Sequence, residues 1–325
     1  MLLLTWLGSR SLKVTSFRIL LSHSSHDPCC TENLILESRH ALNTIGALRK
    51  MDNSSVLIPK DRPFPLVGRW TEKRKAEIRN SRVIGTRRIV SILRRNVLNG
   101  STPTTLINAS AVGFYGTSST ACFDESSPAG KDFLANVAKA WEAEARRASA
   151  DGNRTVLLRL GLVMSIDGGA LQKLVPVFKA FLGGPVGTGT QWVSWVHMDD
   201  VLDIVVDAIV SESYSGAYNV TSPQPARFSE ICDELGARLG RPSWLPVPSS
   251  ILNLMLGGPA ELVLKGQKVL PSKLLEGGYK FKHKDLRSAL RRTFDDSNPN
   301  SLRSQTAPTI KNRQAPPRKT PTRGQ

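Results

Sequence analysis

Two side chains in the stretch NASAVGFYG, residues 108–116, are of types that move protons beside a carbonyl or hydroxyl: Ser110 and Tyr115. The stretch follows the apolar run Thr105-Leu106-Ile107, so it reads as the end of a buried strand spilling into a loop. A serine and a tyrosine placed there could polarise a substrate oxygen while a nicotinamide exchanges hydride. The usual helper of such a tyrosine is a lysine four residues on, which lowers its pKa. Here the residues four places after Tyr115, Tyr214, Tyr218 and Tyr279 are Ser119, Tyr218, Ser222 and His283. Tyr115 could still give up a proton if Lys139 or Arg159 approached it in space. The alternative is a hydroxyl that is only hydrogen-bonded at a strand end.

A second concentration is WVSWVHMDDV, residues 192–201, with two indoles, an imidazole and two carboxylates. Asp199 or Asp200 suits the N-cap of the helix that follows, and a neighbouring carboxylate could fix the His197 ring. The run reads either as a cap with core aromatics or as the wall of a substrate pocket. Binding a dinucleotide pyrophosphate needs glycines at the first strand-to-helix turn. Residues 4–14, LTWLGSRSLKV, offer only Gly8. The cluster GGPVGTG, residues 183–189, follows a helical pattern and leads into QWVSW, so it reads as a mobile loop beside a cleft and not as a phosphate cradle. His23, His26, Cys29 and Cys30 crowd into HSSHDPCC, but adjacent cysteines ligate one ion poorly. No metal is expected.

The elements that must position these residues alternate. A helix starts at Trp70-Thr71-Glu72, with Thr71 as N-cap, and carries Ile78, Val83, Ile89, Val90 and Leu93 at helical spacing. Thr105–Ser110 is a buried strand. Asp132 to Arg147 is a helix capped near Lys131 or Asp132. Thr155–Leu160 is a strand, Gly161–Gly169 a turn region and Ala170–Phe181 helical. Val193–His197 is short and extended, Val201–Val210 helical and Ala217–Val220 a strand. Phe228–Leu239 is a helix that ends at Gly240. Pro246–Leu264 is apolar with helical character. This alternation defines an α/β class with a mostly parallel sheet.

The 325 residues suffice for one large domain or two ordinary ones. The net charge of +17 hints at an anionic partner. Its distribution does not support specific nucleic-acid binding. Residues 101–290 carry 18 basic and 18 acidic side chains, so the excess lies at the two ends. No RNA- or DNA-binding motif accompanies it. The four cysteines have neither zinc spacing nor a disulfide framework, which points to a reducing compartment. No stretch reaches a membrane span. The first 26 residues, with Arg10, Lys13, Arg18 and no acid, have the composition of an organelle transit peptide. From Asp295 on, polar residues and proline dominate, as in a disordered basic tail.

Five segments taken together carry a family resemblance: RWTEKRKAEIRNSRVIGTRRIV (69–90), SAVGFYGTSSTACFDESSPAGKDFLANVAKAWE (110–142), RLGLVMSIDGGAL (159–171), GGPVGTGTQWVSWVHMDDV (183–201) and RPSWLPVPSSILNLMLG (241–257). They resemble the epimerase-like family of atypical short-chain dehydrogenase/reductases, and within it a plant plastid branch. The resemblance runs from about Pro65 to Leu290. It implies a Rossmann-like doubly wound parallel sheet over 65–240, with the first βαβ units missing or replaced. It also implies a small C-terminal domain of the DUF1731 kind over 241–291. Residues 1–64 are then an atypical or disordered segment, and 292–325 a disordered tail. The family lacks the Tyr-x-x-x-Lys pair and has a helix of the type DFLANVAKAWE in its place.

By carry-over, Ser110 and Tyr115 are the catalytic candidates. Ala109, Ser110, Tyr115, Arg159, Gly161, Leu162 and Val163 would line a bound NADP, and Trp195, His197 and Asp199 would face a small-molecule substrate. The implied activity is oxidoreductase or epimerase chemistry. The alternative is a non-catalytic protein acting in plastid division or as a binding module. The implied location is the chloroplast stroma, with possible peripheral contact with the plastid inner membrane; a cytoplasmic location is the alternative. The family's opening strand and glycine-rich turn are not legible in residues 1–63. The expectation is that Thr105–Ser110 has lost its neighbour strand, and that cofactor affinity is weak.

Overall fold

The computed structural model describes residues 3–5, 71–166, 169–243 and 265–295. The HSSHDPCC run, most of the atypical N-terminal segment, the apolar stretch 246–264 and the tail beyond Asp295 lie outside the described residues.

The centre is a four-stranded parallel sheet. Its strands are β1 (Leu3–Thr5), β2 (Thr105–Ala111), β4 (Arg154–Leu160) and β8 (Gly216–Val220), in the order β1-β2-β4-β8. The expectation that β2 has no neighbour on its outer side is corrected here. Leu3, Leu4 and Thr5 pair in parallel with Leu106, Ile107 and Asn108. Three apolar or β-branched residues suffice to extend the ladder.

Two helices cover one face. The first, α1 (Glu72–Leu98), starts as its sequence predicts: the Thr71 hydroxyl accepts from the Arg74 N–H at 3.3 Å. The second, α2 (Phe133–Ala150), is capped by Asp132, whose carboxylate accepts from the Ala135 N–H at 2.8 Å. Val90, Leu93, Ala145 and Ala148 of these helices pack on Leu106 and Leu157 of the sheet. The other face buries Ile107, Val156 and Leu158 against α4 (Met198–Val210), through Val201, Ile204 and Ala208. The alternation of strand side chains produces this division. The far end of α4 is tied back by Arg154. Its guanidinium donates to the carbonyls of Ala208, Ser211 and Tyr214 at 2.9–3.0 Å.

A smaller layer lies beyond. Between β2 and α2 runs β3 (Cys122–Phe123). The expected turn region after β4 holds β5 (Leu162–Met164), paired in parallel with β7 (Trp195–His197). Between them come α3 (Gly169–Lys179) and β6 (Trp192–Val193). β6 pairs antiparallel with β9 (Ala226–Arg227), which leads into α5 (Phe228–Leu239). That helix ends at Gly240 in the left-handed conformation, φ 60°, where a side chain would be strained. Residues 265–295 return to this body. β10 (Lys268–Val269) pairs with β3, followed by the short α6 (Ser272–Glu276) and α7 (Leu286–Asp295). Ala289 and Leu290 of α7 join Trp195, Ile231 and Leu235 in one core cluster. The helix continues to Asp295, past the expected boundary at 291.

Candidate functional site

Period-two geometry turns Leu106, Asn108 and Ser110 of β2 toward the α1–α2 layer, and Leu157 and Arg159 of β4 toward the same layer. In-register pairing sets Ser110 opposite Arg159, and Arg159 opposite Asn219 of β8. Three polar side chains thus form one cross-strand row near the carboxyl ends of parallel strands. Helical spacing on α2 turns Ala135, Ala138, Glu142 and Ala145 inward. Glu142, fully buried, closes the row from above.

The result is a continuous buried network. The Ser110 hydroxyl donates to Glu142 Oε1 at 2.7 Å. Arg159 grips the same carboxylate through Nε at 2.8 Å and Nη2 at 2.9 Å. Arg146 reaches it from the rim at 3.0 Å. Arg159 Nη1 donates to the Tyr115 oxygen at 2.8 Å, and the Tyr115 hydroxyl donates to Asn219 Oδ1 at 2.7 Å. The amide of Asn219 is fixed in turn, because its Nδ2 donates to the Leu270 carbonyl at 2.9 Å. Tyr115 ends the 3-10 turn Val112–Tyr115, its ring stacked on Phe123. The Arg159 guanidinium lies 3.5 Å from the centre of the Phe114 ring.

The electrostatics follow from burial and pairing. Burial pushes the Tyr115 hydroxyl above the ordinary tyrosine range, although the Arg159 charge and the hydrogen bonds with Arg159 and Asn219 oppose it. Burial alone would lower Arg159, but its bonds to the Glu142 carboxylate reverse the direction and hold it raised. Of the two cations considered for Tyr115, Arg159 is the one that reaches it.

The cofactor candidates divide. Ala109, Ser110, Tyr115 and Arg159 are buried. Gly161, Leu162 and Val163 continue from the end of β4 as a half-buried edge. A Cβ on Gly161 would collide with the Ser194 carbonyl, so that glycine is required by packing.

Trp195 is wholly buried, its indole N–H donating to the Gln224 carbonyl at 2.9 Å. His197 is itself the N-cap of α4: its Nδ1 accepts from the Asp199 N–H at 3.1 Å. This corrects the expectation of a cap from Asp199 or Asp200. Burial lowers the His197 pKa to about 4, against the pull of Asp199 and with help from His283. Asp200, in the first turn of α4, accepts from the Lys282 and His283 N–H groups at 2.7 and 3.1 Å. Asp199 is partly exposed and meets His283. The loop GGPVGTG packs at its ends, with Gly183 against the Phe178 ring and Gly189 against Ser229. Glu142 and Asn219 were missed by sequence reasoning. They lie 32 and 104 residues from the hydroxyls they bind. A local hint was an acid at an inward position of a helix whose buried face is mostly apolar.

A parallel sheet with helices on both faces and a polar row at its carboxyl ends is the Rossmann-like architecture. Comparison makes the assignment specific. Residues 67–221 match the NAD dependent epimerase/dehydratase family, and residues 247–293 match a domain of unknown function, DUF1731. The chain is 46% identical over 228 residues to the chloroplastic epimerase family protein SDR39U1 homolog of Arabidopsis thaliana, covering 70% of this chain and 65% of that protein. It is 38% identical over 232 residues to the epimerase family protein YfhF of Bacillus subtilis, covering 71% of this chain and 75% of that protein. The crystal structure of human epimerase family protein SDR39U1, isoform 2, with NADPH superposes with a TM-score of 0.66 at 33% identity, over 70% of this chain and 77% of that one. The chain belongs to the epimerase family, as an atypical short-chain dehydrogenase/reductase-like member. These similarities lend no support to the plastid-division alternative. Among the described residues no helix is long and apolar enough to cross a membrane.

Proposed function

We propose that the chain is a plastid NADP-dependent oxidoreductase or epimerase-like protein acting on a small hydroxylated substrate. The observation that carries this reading is the Ser110–Arg159–Asn219 row at the carboxyl ends of parallel strands, where folds of this type receive a nicotinamide. The described residues suit the nicotinamide side of such a cofactor, through the half-buried Gly161–Val163 edge beside that row. They offer no cradle for its phosphates, since the residues after Thr5 lie outside the described ones. When bound, the cofactor would supply hydride exchange. The name of the Arabidopsis relative supports a plastid location, and the stroma is the compartment proposed.

The chain's own residues set the proton pattern. Ser110 gives its hydrogen to Glu142, so its oxygen is left to accept. A ligand hydroxyl is the group that would answer it. Tyr115 gives its hydrogen to Asn219 and accepts from Arg159, so it orients and has no hydrogen left for a ligand. A second reading, cofactor or ligand binding without turnover, is favoured by one observation: Ser110 and Tyr115 are each only 3% exposed, and both hydroxyl hydrogens are already committed.

Titration of the purified chain with NADPH, followed by nicotinamide fluorescence and thermal shift, tests the proposal. Saturable binding with a raised melting temperature supports it. No binding under conditions in which the human SDR39U1 protein binds NADPH would remove it. Among binders, turnover of a hydroxylated substrate panel separates the two readings.

A further inference from the structure

Apart from the buried network, the described residues hold one cluster of metal-capable donors, and neither family match assigns it a role. His197 ends β7, Asp199 stands in the first turn of α4, and His283 comes from the loop between α6 and α7. One donor atom from each lies within 4.8 Å of the other two. We propose that His197, Asp199 and His283 form a site for a divalent transition metal that staples the C-terminal segment to the core.

The spacing carries the argument. Asp199 Oδ2 lies 3.5 Å from His197 Nδ1 and 3.3 Å from His283 Nε2. An ion bound tetrahedrally at about 2.0–2.1 Å needs donors about 3.3–3.4 Å apart. One edge of the donor triangle already has that length and a second is close to it. The third edge, between the two imidazoles, lies within 4.8 Å, and the rings, with centroids 4.1 Å apart, must adjust their tilt to bring it to the same length. Two imidazoles and one carboxylate select zinc, cobalt, nickel or copper over magnesium or calcium, which prefer all-oxygen sites. Three protein ligands leave a fourth position for water.

Two groups compete with the ion. The Asp199 N–H donates to His197 Nδ1, and that bond must yield when the nitrogen binds metal. Arg292 of α7 places Nε 3.5 Å from Asp199 Oδ2, where its charge stands in for a cation. Its side chain is 40% exposed, and an entering ion would compete with it for the Asp199 carboxylate. Lys282 is engaged by Asp203, and Asp200 by the Lys282 and His283 backbone. The arrangement therefore makes Arg292 an internal competitor, a feature that separates this site from adventitious binding.

The test uses the full chain carrying Cys29→Ser and Cys30→Ser, to remove the thiols of the HSSHDPCC run. Co(II) is titrated and its visible ligand-field bands are followed, with Zn(II) measured by competition against a chromogenic chelator. One equivalent is expected, with tetrahedral Co(II) bands and a thermal shift on Zn(II). His283→Ala should weaken binding by about 10-fold or more. Arg292→Gln should tighten it, because the competing cation is gone. Circular dichroism checks that both variants are folded. Absence of one-to-one binding, or binding unchanged in folded His283→Ala and Arg292→Gln, overturns the proposal.

Discussion

At the scale of single residues, Glu142 organises the centre. It receives Ser110, Arg159 and Arg146 while having no exposure of its own. Removing one partner of a buried ion pair leaves the other charge without compensation, typically about 3–5 kcal/mol. Glu142→Gln should therefore lower unfolding free energy by about 3 kcal/mol in urea denaturation. Ser110→Ala removes a single hydrogen bond to a charged group and should cost half as much, about 1.5 kcal/mol. Equal effects from the two substitutions would contradict the picture of a network centred on the carboxylate. The cysteines give a second residue-scale prediction. Burial pushes the Cys232 thiol up to about 12, whereas Cys122 is exposed. With Cys29 and Cys30 replaced by serine, a disulfide reagent at pH 8 should label Cys122 promptly and Cys232 only after denaturation.

At the scale of elements, the edge formed by Gly161 links β4 to β5. A methyl group there meets the Ser194 carbonyl and the Thr221 side chain. Gly161→Ala should cost about 1–3 kcal/mol through overpacking, read as a lower midpoint of chemical unfolding. An unchanged midpoint would mean that the edge is looser than its geometry states. Elements with local start and stop signals were legible in the sequence. Thr71 opens α1, Asp132 opens α2 and Gly240 closes α5 because caps act within one turn. β5 was hidden, since three residues within a glycine-rich run show no period, and its pairing with β7 is set by tertiary contact. The N-cap of α4 was misplaced because an imidazole nitrogen replaced the expected carboxylate. For the site, Ser110, Tyr115 and Arg159 were visible by residue type. Their joining through Glu142 and Asn219 was not, because strand register and helix packing bring those partners together.

At the scale of the whole molecule, the C-terminal segment is part of the site. The Leu270 carbonyl orients Asn219, which orients Tyr115. Glu125, in the loop after β3, accepts from the Asn219 N–H at 2.9 Å and the Lys273 N–H at 3.3 Å, tying three parts of the chain together. The sheet likewise draws on distant sequence, with Leu3–Thr5 beside a strand a hundred residues away. The proposed function requires that these carboxyl strand ends receive a nicotinamide cofactor. Hydrogen exchange with and without NADPH addresses it most directly, because it locates binding without a known substrate. The account predicts slowed exchange at residues 109–116 and 159–164 when NADPH is added. Unchanged exchange there, or protection confined to other parts of the chain, would contradict it.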